Sequence, residues 1–490
     1  MRTRAFLSTV ALSVSMIATA AAPLAAQPGQ PAAPVVATQS GKVDGVTLPS
    51  GVAAYLGIPY AAPPVRELRW REPQPARSWT ATYHADRFGP QCFQPDRNPQ
   101  ANQYSGAEVT SEDCLYLNVW TKPGLKNAPV IVFIHGGAFF IGSSSMPLYD
   151  GETVARNGAV FVNLNYRLGA LGYLAHPALT AESPHKASGN YGSLDQIAAL
   201  RWIHDNISRF GGDPSNVTVM GQSAGGASVL TLQASPLARG LIHRAVAMSG
   251  GGVNAGALMS ARALADAEKD GVKFQEILGA KSLADMRLLP VDRLVVPRTR
   301  GGPQIGPAQD GYVLPASVET IFAQSKQNDV PLLVGFTRDE GMGGGASQRG
   351  WAQAQATDGK APGYGYEFIR AHSYVPGVTF SDLDPKTAGA YHTSEVPFWL
   401  GTLDSFNRFR QTRAWTPSDR AFSAALTQSL IAFARTGNPS TSELKWARFN
   451  PAQPSLIELG GPQARIIPWP QPSPARPAPA DGPGAGAVRD

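Results

Sequence analysis

A single serine stands among small residues in GQSAGG, Gly221 to Gly226, directly after the apolar run Val217-Thr218-Val219-Met220 and before a stretch of helical character. G-x-S-x-G between a strand and a helix is a nucleophile elbow. The turn is sharp enough to strain the backbone at Ser223, and Gly221 and Gly225 lack the Cβ atoms that would strike the neighbouring strand and helix. A hydroxyl raised there, at the positive end of a helix, is placed to attack a carbonyl carbon. Plain Gly/Ser surface turns share the same spacing, so further elements have to decide.

Attack on a carbonyl builds negative charge on its oxygen, and that charge needs donors. HGGAFF, His135 to Phe140, follows the strand-like VIVFI. Adjacent glycines let backbone N–H groups turn into a site, so Gly136 and Gly137 are candidate oxyanion donors, with Ala224 as a third. Losing one such donor typically costs about 3 kcal/mol of transition-state stabilisation. An acid and a histidine must follow in chain order. VPLLVGF runs into TRDEG, which puts both Asp339 and Glu340 just past a strand end, and spacing alone does not separate them. Of eight histidines, His372 and His392 come after the acid, and either is open as the base.

The elements that must position these residues are legible as apolar runs. VIVFI (130–134), AVFVNLNY (159–166), NVTVM (216–220), HRAVAMS (243–249) and VPLLVGF (330–336) are rich in Val and Ile, as strands covered on both faces are. Between two of them, SLDQIAALRWIHDNISRFG carries Ile197, Leu200, Trp202 and Ile203 at helical spacing. Strand, helix, strand is a βαβ unit. The expected fold class is therefore α/β, with helices on both faces of a sheet and ligands bound beyond the C-terminal strand ends.

The composition, 43% hydrophobic and 16% charged over 490 residues, suits a large globular core. Met1-Arg2-Thr3-Arg4, an uncharged run from Ala5 to Ile17 and A-x-A options up to Ala26 read as a signal peptide over 1–26. Its Ser, Thr and Ala content is weak for a span of ~20 apolar residues. Cleavage lowers a net charge of +6 by two, and no Lys/Arg-rich run points to nucleic acid. Residues 27–40 and 470–490 are Pro/Ala-rich and read as a flexible linker and tail around a domain over 41–469. Export to a periplasm or medium favours pairing of Cys92 with Cys114, a closure worth roughly 3 kcal/mol. Neither cysteine has metal-ligand company, and no cofactor motif occurs.

Taken together, YLGIPYA (55–61), SEDCLYLNVW (111–120), HGGAFFIG (135–142), NYRLGALGYL (165–174), the long block from Asn190 to Gly226, GFTRDEG (335–341), YHTSEVPF (391–398) and FARTGNP (433–439) resemble the type-B carboxylesterases, including para-nitrobenzyl esterases and cholinesterases. The resemblance implies an α/β-hydrolase fold, Glu340 rather than Asp339 as the acid, His392 as the base, and a Cys92–Cys114 disulfide. Two departures stand out. Gln222 replaces the glutamate that the family carries before the nucleophile, which disfavours a cationic substrate. Glu340 and His392 are only 52 residues apart, and GMGGGASQRGWAQAQATDGKAPG between them is a poor helix former, which predicts missing walls and an open pocket.

The implied reaction is ester hydrolysis through an acyl-enzyme on a small-molecule substrate, without cofactor or metal. Amide, carbamate or lactone hydrolysis by the same residues, and a non-catalytic esterase-like binding protein, are the alternatives. Phe139, Phe140, Phe398 and Trp399 are candidates for an apolar pocket wall or for core.

Overall fold

The structure is a computed structural model that describes residues 32–103, 108–251, 261–296, 299, 301–341 and 344–470. The expected signal peptide lies outside the described residues, as does the expected tail beyond Pro470.

Among the described residues, eleven strands form one sheet: β1 (Val46–Thr47), β2 (Ala53–Pro59), β3 (Tyr116–Thr121), β4 (Ala128–Ile134), β5 (Val160–Leu164), β6 (Gly212–Gln222), β7 (Arg244–Met248), β8 (Leu332–Thr337), β9 (Gly363–Phe368), β10 (Ser455–Leu459) and β11 (Arg465–Pro468). Their spatial order is β11-β10-β9-β8-β7-β6-β4-β5-β3-β2-β1. The stretch from β10 to β5 is parallel throughout, and β3, β2, β1 and β11 add to it antiparallel. The α/β architecture expected from the apolar runs is present, with the α/β-hydrolase order of strands that the family resemblance implies.

Strand pleating divides the core in two. In β4, Val130, Val132 and Ile134 enter one cluster while Ile131 and Phe133 enter the other. The first is covered by α1 (Tyr191–Asn206) and α2 (Ala224–Ala234), through Ile197, Leu200, Ile203, Val229 and Leu232. Leu426, Leu430 and Phe433 of the long helix Pro417–Thr436 cover the second. Both faces being capped explains why β4, β5 and β8 are apolar without alternation.

Two expectations need correction. Residues 32–40 are not a free linker: Ala32 bridges Val46, Val36 pairs with Val43, and Ala33 is 3% exposed. A Pro/Ala composition does not prevent a few extended residues from pairing at a sheet margin where small apolar side chains are covered. The glycine-rich segment after Glu340 is also not helix-free, because α3 spans Gly344–Asp358. Its burial outweighs its propensity. Trp351 packs on Phe322 and donates to Gly251 O at 3.0 Å, while the buried Gln355 donates to Asp329 Oδ1 at 2.8 Å. Among the described residues, no helix is long and apolar enough to cross a membrane.

Candidate active site

The elbow is built by close approach. A Cβ on Gly221 would lie 2.3 Å from Gly225 O, and one on Gly225 would lie 2.0 Å from Ile134 O in β4. Only glycine permits that contact between strand, turn and helix. Ser223 takes φ 58°, ψ −122°, a strained conformation for a residue with a side chain, and is held by its N–H on Met248 O at 2.8 Å. Its side chain is half-buried, at the N-terminus of α2. Ala224 opens that helix, so its N–H has no intrahelical acceptor.

The loop after β4 passes directly over this turn. A Cβ on Gly136 would be 2.6 Å from Gln222 O and 3.1 Å from Ser223 Cβ. Gly137 has φ 110° and a Cβ there would be 1.9 Å from Ile141 O, so glycine is obligatory. Near Gly136, burial pushes the pKa of the Tyr149 phenol up to about 12, against the Arg97 charge and the Gly136 backbone. His135 anchors the loop from beneath: it donates from Nδ1 to Gly136 O at 2.9 Å and stacks on Tyr166, and burial holds its pKa down at about 4.

The segment carrying His392 meets the loop after β8. His392 Nδ1 lies 2.8 Å from Glu340 Oε2, with Thr337 donating to the same oxygen at 3.2 Å. The carboxylate is 3% exposed and the imidazole 25%. Nε2 of His392 faces the Gln222 amide at 3.2 Å, which brings the ring to the elbow. The neighbouring acid does something else: Asp339 Oδ2 accepts the Ala390 N–H at 2.8 Å, and Gly389, at φ 54°, allows the close pass. His372 is a frame residue. It donates from Nε2 to Ser394 O at 2.8 Å and accepts at Nδ1 from Arg413 Nε and the Tyr391 hydroxyl, each at 3.1 Å.

The model of the carboxylesterase family matches residues 32–349 and 347–468. A para-nitrobenzyl esterase of Bacillus subtilis (strain 168) is 35% identical over 467 residues, covering 85% of this chain and 92% of that one. The chain belongs to the carboxylesterase family. A fumonisin B1 esterase of Sphingopyxis macrogoltabida is 42% identical over 332 residues, a match that spans 66% of this chain but only 59% of that relative. A solved PNB esterase superposes with TM-score 0.77 at 31% identity, covering 89% of this chain and 97% of the other.

In this carboxylesterase-family chain, Phe398 and Trp399 are core, not pocket wall. Both are fully buried, Phe398 against Phe368 and Trp399 against Tyr366 at centroid distances of 5.4 and 5.3 Å. Phe139 likewise packs on Tyr173 in the core, whereas Phe140 is partly exposed beside Gly169. One participant escaped sequence reasoning. Glu395, three residues past His392, is fully buried and accepts from Ser249 Oγ at 3.4 Å. Burial, reinforced by Glu340, raises its pKa to about 8. Its letter was visible within YHTSEVPF; its burial beside a second carboxylate was not. The two cysteines are joined, Cys92 to Cys114. Among the described residues no group of three or more His, Cys, Asp or Glu could hold a metal ion.

Proposed function

We propose that this chain hydrolyses carboxylic esters through an acyl-enzyme on Ser223. The observation that carries the reading is the Glu340–His392 contact at 2.8 Å, with the other face of the imidazole at the residue preceding Ser223. A carboxylate only accepts, so Nδ1 of His392 carries the proton and Nε2 keeps the lone pair a general base needs. Ser223 Oγ attacks the ester carbon as its proton passes to Nε2. The imidazolium, stabilised by Glu340, returns that proton to the leaving alcohol, and water then cleaves the acyl-enzyme by the same route.

The oxyanion is received by backbone donors at Gly137 and Ala224. Gly136 is the third candidate donor, held over the turn beside Gln222 O and Ser223 Cβ. Gln222 removes a negative charge beside the reacting atoms, which favours neutral esters. Export, with removal of residues 1–26, belongs to the same proposal; the disulfide and the absence of a membrane-crossing helix among the described residues are compatible with it.

Intact mass after exposure to an organophosphate tests the reading. One phosphoryl adduct is expected, absent from Ser223→Ala, together with turnover of p-nitrophenyl esters of graded acyl length. No adduct and no turnover would leave an esterase-like binding protein.

A further inference from the structure

The side chain of Gln222 reaches into the site. It is 1% exposed, and its Nε2 is 3.2 Å from Nε2 of His392. Its Oε1 lies against the other side of the turn, 3.2 Å from where a Cβ on Gly136 would stand. With Nδ1 of the imidazole 2.8 Å from Glu340, that nitrogen holds the proton and Nε2 presents a lone pair. The group aimed at this lone pair is therefore an amide donor, and the same lone pair must receive the Ser223 proton during catalysis.

Resting on the ester-hydrolase reading, we infer that Gln222 is a positioning residue for the base: its amide N–H holds the His392 Nε2 lone pair in the resting protein, favours the neutral Nδ1–H imidazole, and gives way to Ser223 when a carbonyl substrate enters. A donor to the lone pair stabilises only the neutral ring and lowers its proton affinity, whereas a carboxylate at the same place would accept from the imidazolium and raise it.

The titratable groups around the ring are three carboxyls and a phenol. Glu340 contacts it, Asp339 is bound to Ala390 two residues before it, and Glu395 lies behind Glu340 on the base's own segment, where burial and then Glu340 push its pKa up to about 8 and keep it neutral. Tyr149, facing Gly136, is neutral across the working range. Gln222 is the donor facing Nε2, while Glu340 is the acceptor at Nδ1 on the other side of the ring.

The test reads His392 directly. Imidazole nitrogen NMR titrations of the full chain, Gln222→Glu and Gln222→Ala, with the resonance assigned through His392→Gln, give the midpoint without requiring turnover. Gln222→Glu should raise it by about one unit, with a smaller rise in Gln222→Ala, from the lost donor alone. The acid limb of kcat/KM should move by the same amount while KM at high pH changes little. Burying an extra carboxylate can unsettle the fold, so Gln222→Ala serves as the second variant, with circular dichroism as the check on folding. Identical midpoints in all three folded proteins would overturn the inference. If wild type takes no organophosphate, the ester-hydrolase reading fails, yet the titration still reports whether Gln222 holds the ring.

Discussion

His392 and Glu340 meet at 2.8 Å across 52 residues of chain, while Asp339, next to Glu340 in sequence, turns the other way and takes the Ala390 N–H. The two acids thus divide the work: one meets the imidazole, the other fastens the segment that carries it. Glu340→Gln should lower kcat by about 10⁴-fold with KM little changed, since the amide cannot fix the tautomer or stabilise the imidazolium. Asp339→Ala should instead lose stability by about 1–3 kcal/mol, because a backbone donor is stranded. Steady-state kinetics alongside urea unfolding separates the two effects.

Gly137→Ala puts a Cβ at φ 110° and 1.9 Å from Ile141 O. The loop has to move, and kcat should fall by about 10²- to 10³-fold through loss of an oxyanion donor. Stopped-flow acylation with a p-nitrophenyl ester reads the step directly. Near-normal acylation in this variant would remove Gly137 from the hole.

His372 and His135 make the protein acid-sensitive. Burial, then the Arg413 charge, holds His372 at about 3, and burial holds His135 at about 4. The unfolded chain binds these protons near pH 6.5 and the native state does not. Stability is therefore complete above 6.5 and falls below it, by about 1.4 kcal/mol per pH unit for each ring. Thermal unfolding between pH 7 and 4.5 should show this slope, and it should be shallower in His372→Gln.

Glu395 acts in the opposite direction. Its carboxyl, raised to about 8 by burial and Glu340, stays protonated in the native state where the unfolded chain has already released the proton. Its contribution is full below about pH 4.5 and is lost as pH rises through 8. Glu395→Gln should therefore gain stability relative to wild type as pH rises from 5 to 8, measurable as a widening gap in Tm.

The Cys92–Cys114 bridge closes a loop that touches both halves of the site. Gln94 exchanges two hydrogen bonds with Gly142, at the end of the HGG loop, Gln103 donates to Thr393 beside the base, and Arg413 donates to Asn102. Both cysteines are buried, so the paired Cys92→Ser/Cys114→Ser variant tests the bridge better than a reductant. It should lose roughly 3 kcal/mol in denaturant melts, and kcat should drop with it.

Much of the scaffold was legible because burial on both faces writes itself into composition. β5 and β7 fall within the apolar runs 159–166 and 243–249, and β4 and β8 overlap the runs 130–134 and 330–336. Their ends were less clear: β6 begins at Gly212 rather than near Asn216, since the polar start of that strand carries no apolar signal. The helix Gly344–Asp358 was missed for a related reason, as Trp351, Gln348 and Gln355 gain their partners only from distant strands and loops.

The sequence by itself determined the elbow, the glycine loop, the order of acid and histidine, and the two cysteines, because each depends on local backbone geometry or residue type. It could not choose between Asp339 and Glu340 or between His372 and His392 without the family resemblance. Nor did it place Gln222 against the imidazole or Glu395 behind Glu340. Those relations are decided by where strands and loops far apart in the chain converge, and by which side chains lose water when they do.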